Sequence, residues 1–359
     1  MTHRLVCDEL ISNASNHINE INLMKAIVYT KYGAPDVLQV KEVEKPKPRD
    51  GEILIRIHAA EATKADCELR SFNFAVKWFW LPLRIAMGIT RPKNQILGGY
   101  FAGEIESVGK DVSKFKKGDR IFGTTKLRMG SYGEYVCLPA NYTIVPKPHN
   151  LTFEEAAAVP LGGLNALHFF RKANIRNGEK VLINGAGGSI GTFGVQIAKA
   201  MGAEVTAVDS TIKEEMLRQI GADHFFDYTT EDFTKSGQTY DVIFDMVARS
   251  SYSACVKSLN PKGRYLMGNP HISDMLRSVL TSKFTDKTAI FTFAGEKEEE
   301  LISLKKMIEA GKIKPIVDKI YSIDQAAEAH RRVETEQRLG IVVISVRSHE
   351  NYGMPGGKE

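Results

Sequence analysis

The stretch from Lys180 to Gly202 constrains this chain more than any other. A β-rich run, Lys180 to Asn184, passes without a break into Gly185-Ala186-Gly187-Gly188-Ser189-Ile190-Gly191, which leads directly into a helical pattern, TFGVQIAKAMG. A strand that turns this sharply into a helix needs residues without a Cβ, so that the backbone can reverse and the helix can lie close to the strand. The helix then opens on unpaired N–H groups and a partial positive charge, a site that suits an anion such as a pyrophosphate. The literal G-x-G-x-x-G spacing is not met, because Ile190 holds the third glycine's place when counted from Gly185. Counted from Ala186 it is A-x-G-x-x-G, with Gly188 and Gly191 in register. The next β-run, EVTAVD, closes on Asp209 about 20 residues later, where a carboxylate accepts from ribose hydroxyls, or else caps the helix opening at Thr211. These features predict a dinucleotide site. Asp209 favours NAD(H), since its charge repels a 2′-phosphate, while Ser210, Lys213 and Tyr228 offer donors to that phosphate. We expect NAD(H), with NADP(H) tolerated.

The rest of the chain divides by period. From Met24 to about Pro148 short β-runs alternate with Gly and Pro: KAIVYT, DVLQVKEV, GEILIRIHAA, AGEIESVG, DRIFGTT, GEYVCLP and YTIVPKP. From about Leu151 strands alternate with amphipathic helices, the pattern of a parallel doubly wound sheet. After Gly295 a helix, EKEEELISLKKMIEAG, and the runs KPIVDKIYS and GIVVISV return to the β-rich character. At 359 residues and 43% apolar content the chain can bury two cores. Lysine and arginine outnumber aspartate and glutamate by 48 to 43 without forming a basic stripe, which argues against nucleic acid. No apolar run is long enough to span a membrane, and the first 23 residues lack the apolar core of a secretory signal. Cys7, Cys67, Cys137 and Cys255 are widely spaced, so free thiols in a reducing, cytoplasmic compartment are expected.

Several motifs in this order resemble the medium-chain dehydrogenase/reductase superfamily, specifically its zinc-free quinone oxidoreductase branch. They are AGEIESVGKDVSKFKKGDRIFG (102–123), GSYGEYVCLP (130–139), EEAAAVPLGGLNAL (154–167), the turn with VQIAKAMGAEV, and GKIKPIVDKIYSIDQAAEAHRRVETEQRLG (311–340). The resemblance implies an α/β chain in which a discontinuous GroES-like β domain (24–149 and 296–346) carries an inserted Rossmann domain (150–295). An N-terminal extension (1–23) and a flexible tail (347–359) flank it. The family's habit implies a homodimer. Where zinc-dependent relatives hold the metal with Cys, His and Cys, this chain has Thr63, Gly99 and no cysteine between Glu154 and Leu167, so no metal is expected.

Without a Lewis acid, reduction of electron-poor quinones or enones is favoured over oxidation of simple alcohols. A metal-free alcohol or aldehyde oxidoreductase and a non-catalytic nicotinamide-binding sensor are the alternatives. By resemblance Thr63, Asp66 and Tyr100 line the β-domain side of the cleft, Asn165 the helix side, and Gly268 and Asn269 the nicotinamide end. Thr63 could donate to a substrate carbonyl, Asp66 could instead cap a helix, and Tyr100 could simply pack beside Phe101. Cys67, His58 and His168 read as core residues. The aromatic segment 71–88 reads as a packed cluster or an apolar lid. No side chain stands out as a general acid, which leaves water to deliver the proton.

Overall fold

A computed structural model of the chain describes residues 22–346 apart from 75, 76, 78, 249, 293 and 294. The expected tail 347–359, nearly all of the extension 1–23, Cys7 and Trp78 lie outside the described residues. The first part is β-rich: β1 (Leu23–Val28), β2 (Gln39–Glu44), β3 (Glu52–Ala62), helices α1 (Lys64–Ser71) and α2 (Trp80–Met87), then β4 (Tyr100–Val108), β5 (Arg120–Thr124), β6 (Tyr135–Pro139) and β7 (Ile144–Pro146). Helices α3 (Phe153–Ala157) and α4 (Pro160–Ala173) lead into alternation: β8 (Lys180–Asn184), α5 (Ser189–Ala200), β9 (Glu204–Asp209), α6 (Glu214–Gln219), β10 (His224–Asp227), β11 (Tyr240–Asp245), α7 (Tyr252–Lys257), β12 (Leu259–Met267), α8 (Ile272–Phe284) and β13 (Thr288–Phe291). Helix α9 (Glu298–Glu309), β14 (Val317–Ser322), α10 (Ala326–Glu334) and β15 (Ile341–Ser345) complete it.

Strands β8 to β13 form a six-stranded parallel sheet in the order β10-β9-β8-β11-β12-β13. Its inner strands are buried on both faces, which is why they read as unbroken apolar runs. The chain reverses direction across the sheet between β8 and β11, and in such sheets ligands bind beyond the carboxyl ends at that reversal. The other large sheet has seven strands. β3 is its hub, pairing antiparallel with β4, β6 and β15, and β14 joins alongside β15. The last two strands therefore return to the sheet of the first segment, and the architecture is a discontinuous GroES-like β unit with a Rossmann-like sheet inserted.

The two sheets share a core. Ala59, Ala102, Phe122 and Val145 pack into the same cluster as Val181, Ile183, Phe193 and Phe244. Helix α9 presents Leu301, Leu304 and Ile308 inward at helical spacing. Gln196 of α5 clamps the backbone of Lys314 with both ends of its amide, accepting from the N–H and donating to the carbonyl at 2.9 Å each. The cleft between the sheets is thus held in register by packing and by polar contacts between residues far apart in sequence.

The aromatic segment divides into an inner and an outer layer. Phe72 and Phe74 are buried and meet edge to face at 5.2 Å, and Phe72 meets Tyr32 and Trp80 in the same way. Trp80 is 40% exposed and lines a small cavity with Phe72, Asn73, Phe74 and Lys77. Because its ring is already partly hydrated, Trp80→Ala is expected to cost about 1–2 kcal/mol, below the ~3–5 kcal/mol of a buried aromatic. A denaturant melt showing a loss near the upper figure would place Trp80 in the core.

Candidate active site

The turn from Gly185 to Gly191 sits at the carboxyl end of β8, beside the reversal of strand order. Gly185 has φ +82°, a left-handed conformation that glycine adopts without strain. The N–H groups of Gly185 and Ala186 both reach the carbonyl of Val208, tying the turn to β9. A Cβ on Gly191 would lie 2.3 Å from the Gly185 carbonyl oxygen and 2.5 Å from the Ala186 Cα, so only glycine lets α5 start this close to its strand. Gly188 is the N-cap and has no side chain to satisfy the first-turn N–H groups of Ser189 and Ile190, which leaves them for an external acceptor.

The rivalry expected between Asp209 and Lys213 is a pairing instead. The Lys213 ammonium lies 2.9 Å from Asp209 Oδ1, and both side chains are buried. Asp209 also accepts from the N–H of Gly187 at 2.7 Å and of Ser210 at 2.9 Å. It braces the turn through these hydrogen bonds rather than standing as an unpaired charge, and Lys213 is paired with it. A Cβ on Gly187 would collide with the Lys213 stem at 2.3 Å, so the pair fits only beneath a glycine. The Tyr228 ring is exposed.

Three neighbours of the turn were not singled out in the sequence. Arg338 is buried, and its guanidinium is 3.7 Å from where a Cβ on Gly188 would stand. It brings a cation to the turn from the segment just before β15. Glu336 pairs with Lys64 and, more distantly, with Arg338. Glu61, the only charge in the run IHAAEA, is fully buried and accepts from Ser189 Oγ at 2.7 Å. Burial pushes its carboxyl up to about 8, against the Ser189 hydrogen bond. The shift favours the neutral carboxyl, which lessens the negative charge beside the turn.

Beside the turn Asn184 and Asp245 close adjacent strands, with Asn184 Nδ2 donating to Asp245 and the Tyr265 hydroxyl doing the same at 2.7 Å. Gly268 follows β12 with the Met246 side chain lying against it, and Asn269 donates to the Met246 carbonyl. Asn165 turns its amide back to the Leu161 carbonyl within α4, at 2.9 Å. These residues fit a nicotinamide dinucleotide laid from the Gly-rich turn towards Gly268.

On the opposite wall Asp66 has the capping role that was one of its two readings, and Thr63 is its partner in it. Thr63 is the N-cap of α1 and Asp66 its third residue, and they form a reciprocal capping box. Thr63 Oγ1 donates to Asp66 at 2.6 Å and accepts from the Asp66 N–H, while Thr63 is only 2% exposed. Its proton is committed, so it is not placed to polarise a substrate carbonyl. Asp66 also accepts from the Gly98 N–H, fastening α1 to the segment that leads into Tyr100. Tyr100 opens β4 and meets Glu296, a residue that nothing in the local pattern marks. Cys67 is buried against His330, and burial pushes its thiol well up, which disfavours the thiolate. His58 stacks on Phe153 and His168 faces Glu300.

Among the described residues no three His, Cys, Asp or Glu side chains gather to hold a metal ion, and Thr63 and Gly99 offer neither thiolate nor imidazole. Residues 49–149 match the alcohol dehydrogenase GroES-like domain family and residues 220–344 the family described as zinc-binding dehydrogenase. The chain is 30% identical to a 2-methylene-furan-3-one reductase of Solanum lycopersicum, covering 93% of this chain and 82% of that protein. It is 32% identical to a quinone oxidoreductase of Rattus norvegicus, covering 90% and 98%. The solved quinone oxidoreductase of Coxiella burnetii superposes with a TM-score of 0.81 at 27% identity, covering 90% of this chain and all of that one.

Proposed function

The chain belongs to the medium-chain dehydrogenase/reductase superfamily, on its quinone oxidoreductase-like branch, and from that premise we propose that it reduces quinones, enones or similar electron-poor small molecules with NAD(P)H and without zinc. One observation supports the reading: the Gly-rich turn lies at the reversal of a parallel sheet, and by the family resemblance the positions of the metal ligands are taken by Thr63 and Gly99. The names of the relatives support the acceptor class. Bound at the turn, the reduced dinucleotide would supply the hydride. Gly187, Gly188 and the first turn of α5 would hold its pyrophosphate, with Arg338 alongside. Asp209, Ser210 and Lys213 would meet the adenosine ribose, and Gly268 and Asn269 the nicotinamide. The residues of the two walls would orient the acceptor and exclude water. The exposed apolar stripe Ile272, Leu276, Val279, Leu280 and Phe284 on α8, next to edge strand β13, supports a homodimer.

NADH and NADPH oxidation should be followed with a panel of quinones, enones, aldehydes and alcohols, with and without a strong chelator. Activity is expected on quinones or enones, unchanged by the chelator, with no stoichiometric zinc by elemental analysis. One zinc per chain together with chelator-sensitive alcohol oxidation would overturn the reading.

A further inference from the structure

Hydride addition to an electron-poor double bond or quinone leaves an anion that needs a proton. Tyr100, at the start of β4, and Glu296, just ahead of α9, meet as a phenol and a carboxyl. The Tyr100 hydroxyl lies 3.4 Å from Glu296 Oε1, a long contact of the kind that tightens when substrate arrives. The other carboxylate oxygen accepts from Thr124 Oγ1 at 3.0 Å, and the Thr143 hydroxyl donates to the Glu296 carbonyl. Glu296 has φ +41°, an uncommon conformation for a side-chain-bearing residue, held here by anchors from β5 and from the start of β7. Gly295 before it abuts His168 of α4, the helix that carries Asn165. The pair therefore sits between the wall of β4 and β5 and the helix of the opposite wall.

We propose that Tyr100 protonates the reduced acceptor and that Glu296 supplies Tyr100 with its proton; this rests on the reductase reading above. The anion takes the phenolic proton as the Tyr100 O–H bond breaks. The Glu296 carboxyl then gives its proton to the phenolate, and the resulting carboxylate regains one from water. Both electrons arrive with the hydride of the reduced dinucleotide, so no other reductant enters. With Glu296 protonated, its O–H donates to the phenol and frees the phenolic proton to point at the acceptor. With Glu296 ionised, the phenol donates to the carboxylate and its proton is turned away.

The surroundings favour the protonated form of both groups. Burial raises the Glu296 carboxyl above its ordinary range, opposed by Thr124, Lys126 and Tyr100, and burial raises the Tyr100 phenol, reinforced by Glu296, Glu61 and Asp66. The nearby Lys114–Glu298 and His168–Glu300 pairs are engaged with each other. Because the acid form of Glu296 is the active one, kcat should fall as pH rises through its raised pKa.

The first test needs no cofactor. In the full chain with isotope-labelled tyrosine ring carbons, the Tyr100 NMR signal, identified by its loss in Tyr100→Phe, should shift with pH as Glu296 titrates, and the shift should vanish in Glu296→Gln. A signal flat with pH in wild type overturns the relay. In turnover, Tyr100→Phe should lower kcat on an enone by about 10²–10⁴-fold with dinucleotide affinity unchanged. Glu296→Gln should lower kcat and abolish its decline with pH. An active wild type with both variants within about threefold overturns the relay alone. A wild type inactive on every quinone and enone overturns the reductase reading and the relay together.

Discussion

Gly191→Ala is expected to lower dinucleotide affinity at least about 100-fold and to destabilise the chain by about 1–3 kcal/mol, the cost of forcing a methyl into a packed interior. The added Cβ has nowhere to go, because the Gly185 carbonyl oxygen and the Ala186 Cα stand 2.3 and 2.5 Å from it, and both are backbone. The start of α5 must therefore move away from β8, and its first-turn N–H groups leave the place where a pyrophosphate would sit. Gly194 on the same helix is the control. A Cβ there meets only side-chain atoms, the nearest at 3.4 Å, so Gly194→Ala is expected to leave binding intact. Fluorescence titration with NADH and NADPH and a thermal melt of each variant decide the matter. Affinity kept in Gly191→Ala would mean that the turn does not position the cofactor.

Asp209→Ala is expected to have the next largest effect, and in an unusual pattern. Removing the carboxylate leaves the Lys213 ammonium buried without a counter-charge, and breaking a buried pair this way costs about 3–5 kcal/mol. It also strips the Gly187 N–H of its acceptor. A 2′-phosphate could replace the lost charge, whereas a ribose hydroxyl could not. The melting temperature of the variant should therefore be restored in part by NADPH and hardly by NADH, and the preference for NADPH should rise by about tenfold or more. Equal restoration by both would show that Lys213 does not face the ribose.

The Gly-rich turn was legible because its requirement is local. A strand, a reversal without Cβ atoms and a helix follow one another within about 20 residues, and no distant partner is needed to recognise them. The parallel sheet was legible for a similar reason, since strands buried on both faces show as unbroken apolar runs between amphipathic helices. The roles of single polar residues were not. Thr63 and Asp66 could be read either as a site pair or as a helix cap, and local pattern alone could not show that their hydrogen-bonding capacity is consumed on each other. Asp209 and Lys213 are four residues apart, yet it took the turn folded over them to show that they neutralise each other rather than compete for the adenosine end.

The sequence by itself determined the class of fold and the place of the Gly-rich turn between a strand and a helix, because each follows from backbone needs and residue types along a short stretch. The tertiary structure alone decided what surrounds that turn and what faces it. Glu61 reaches Ser189 across 128 positions, Arg338 reaches Gly188 from the last turn before β15, and Tyr100 reaches Glu296 across 196. Those contacts arise from how β3, β4 and β15 pack against the inserted parallel sheet. Burial there, rather than residue type, raises the carboxyls of Glu61 and Glu296 above their ordinary range.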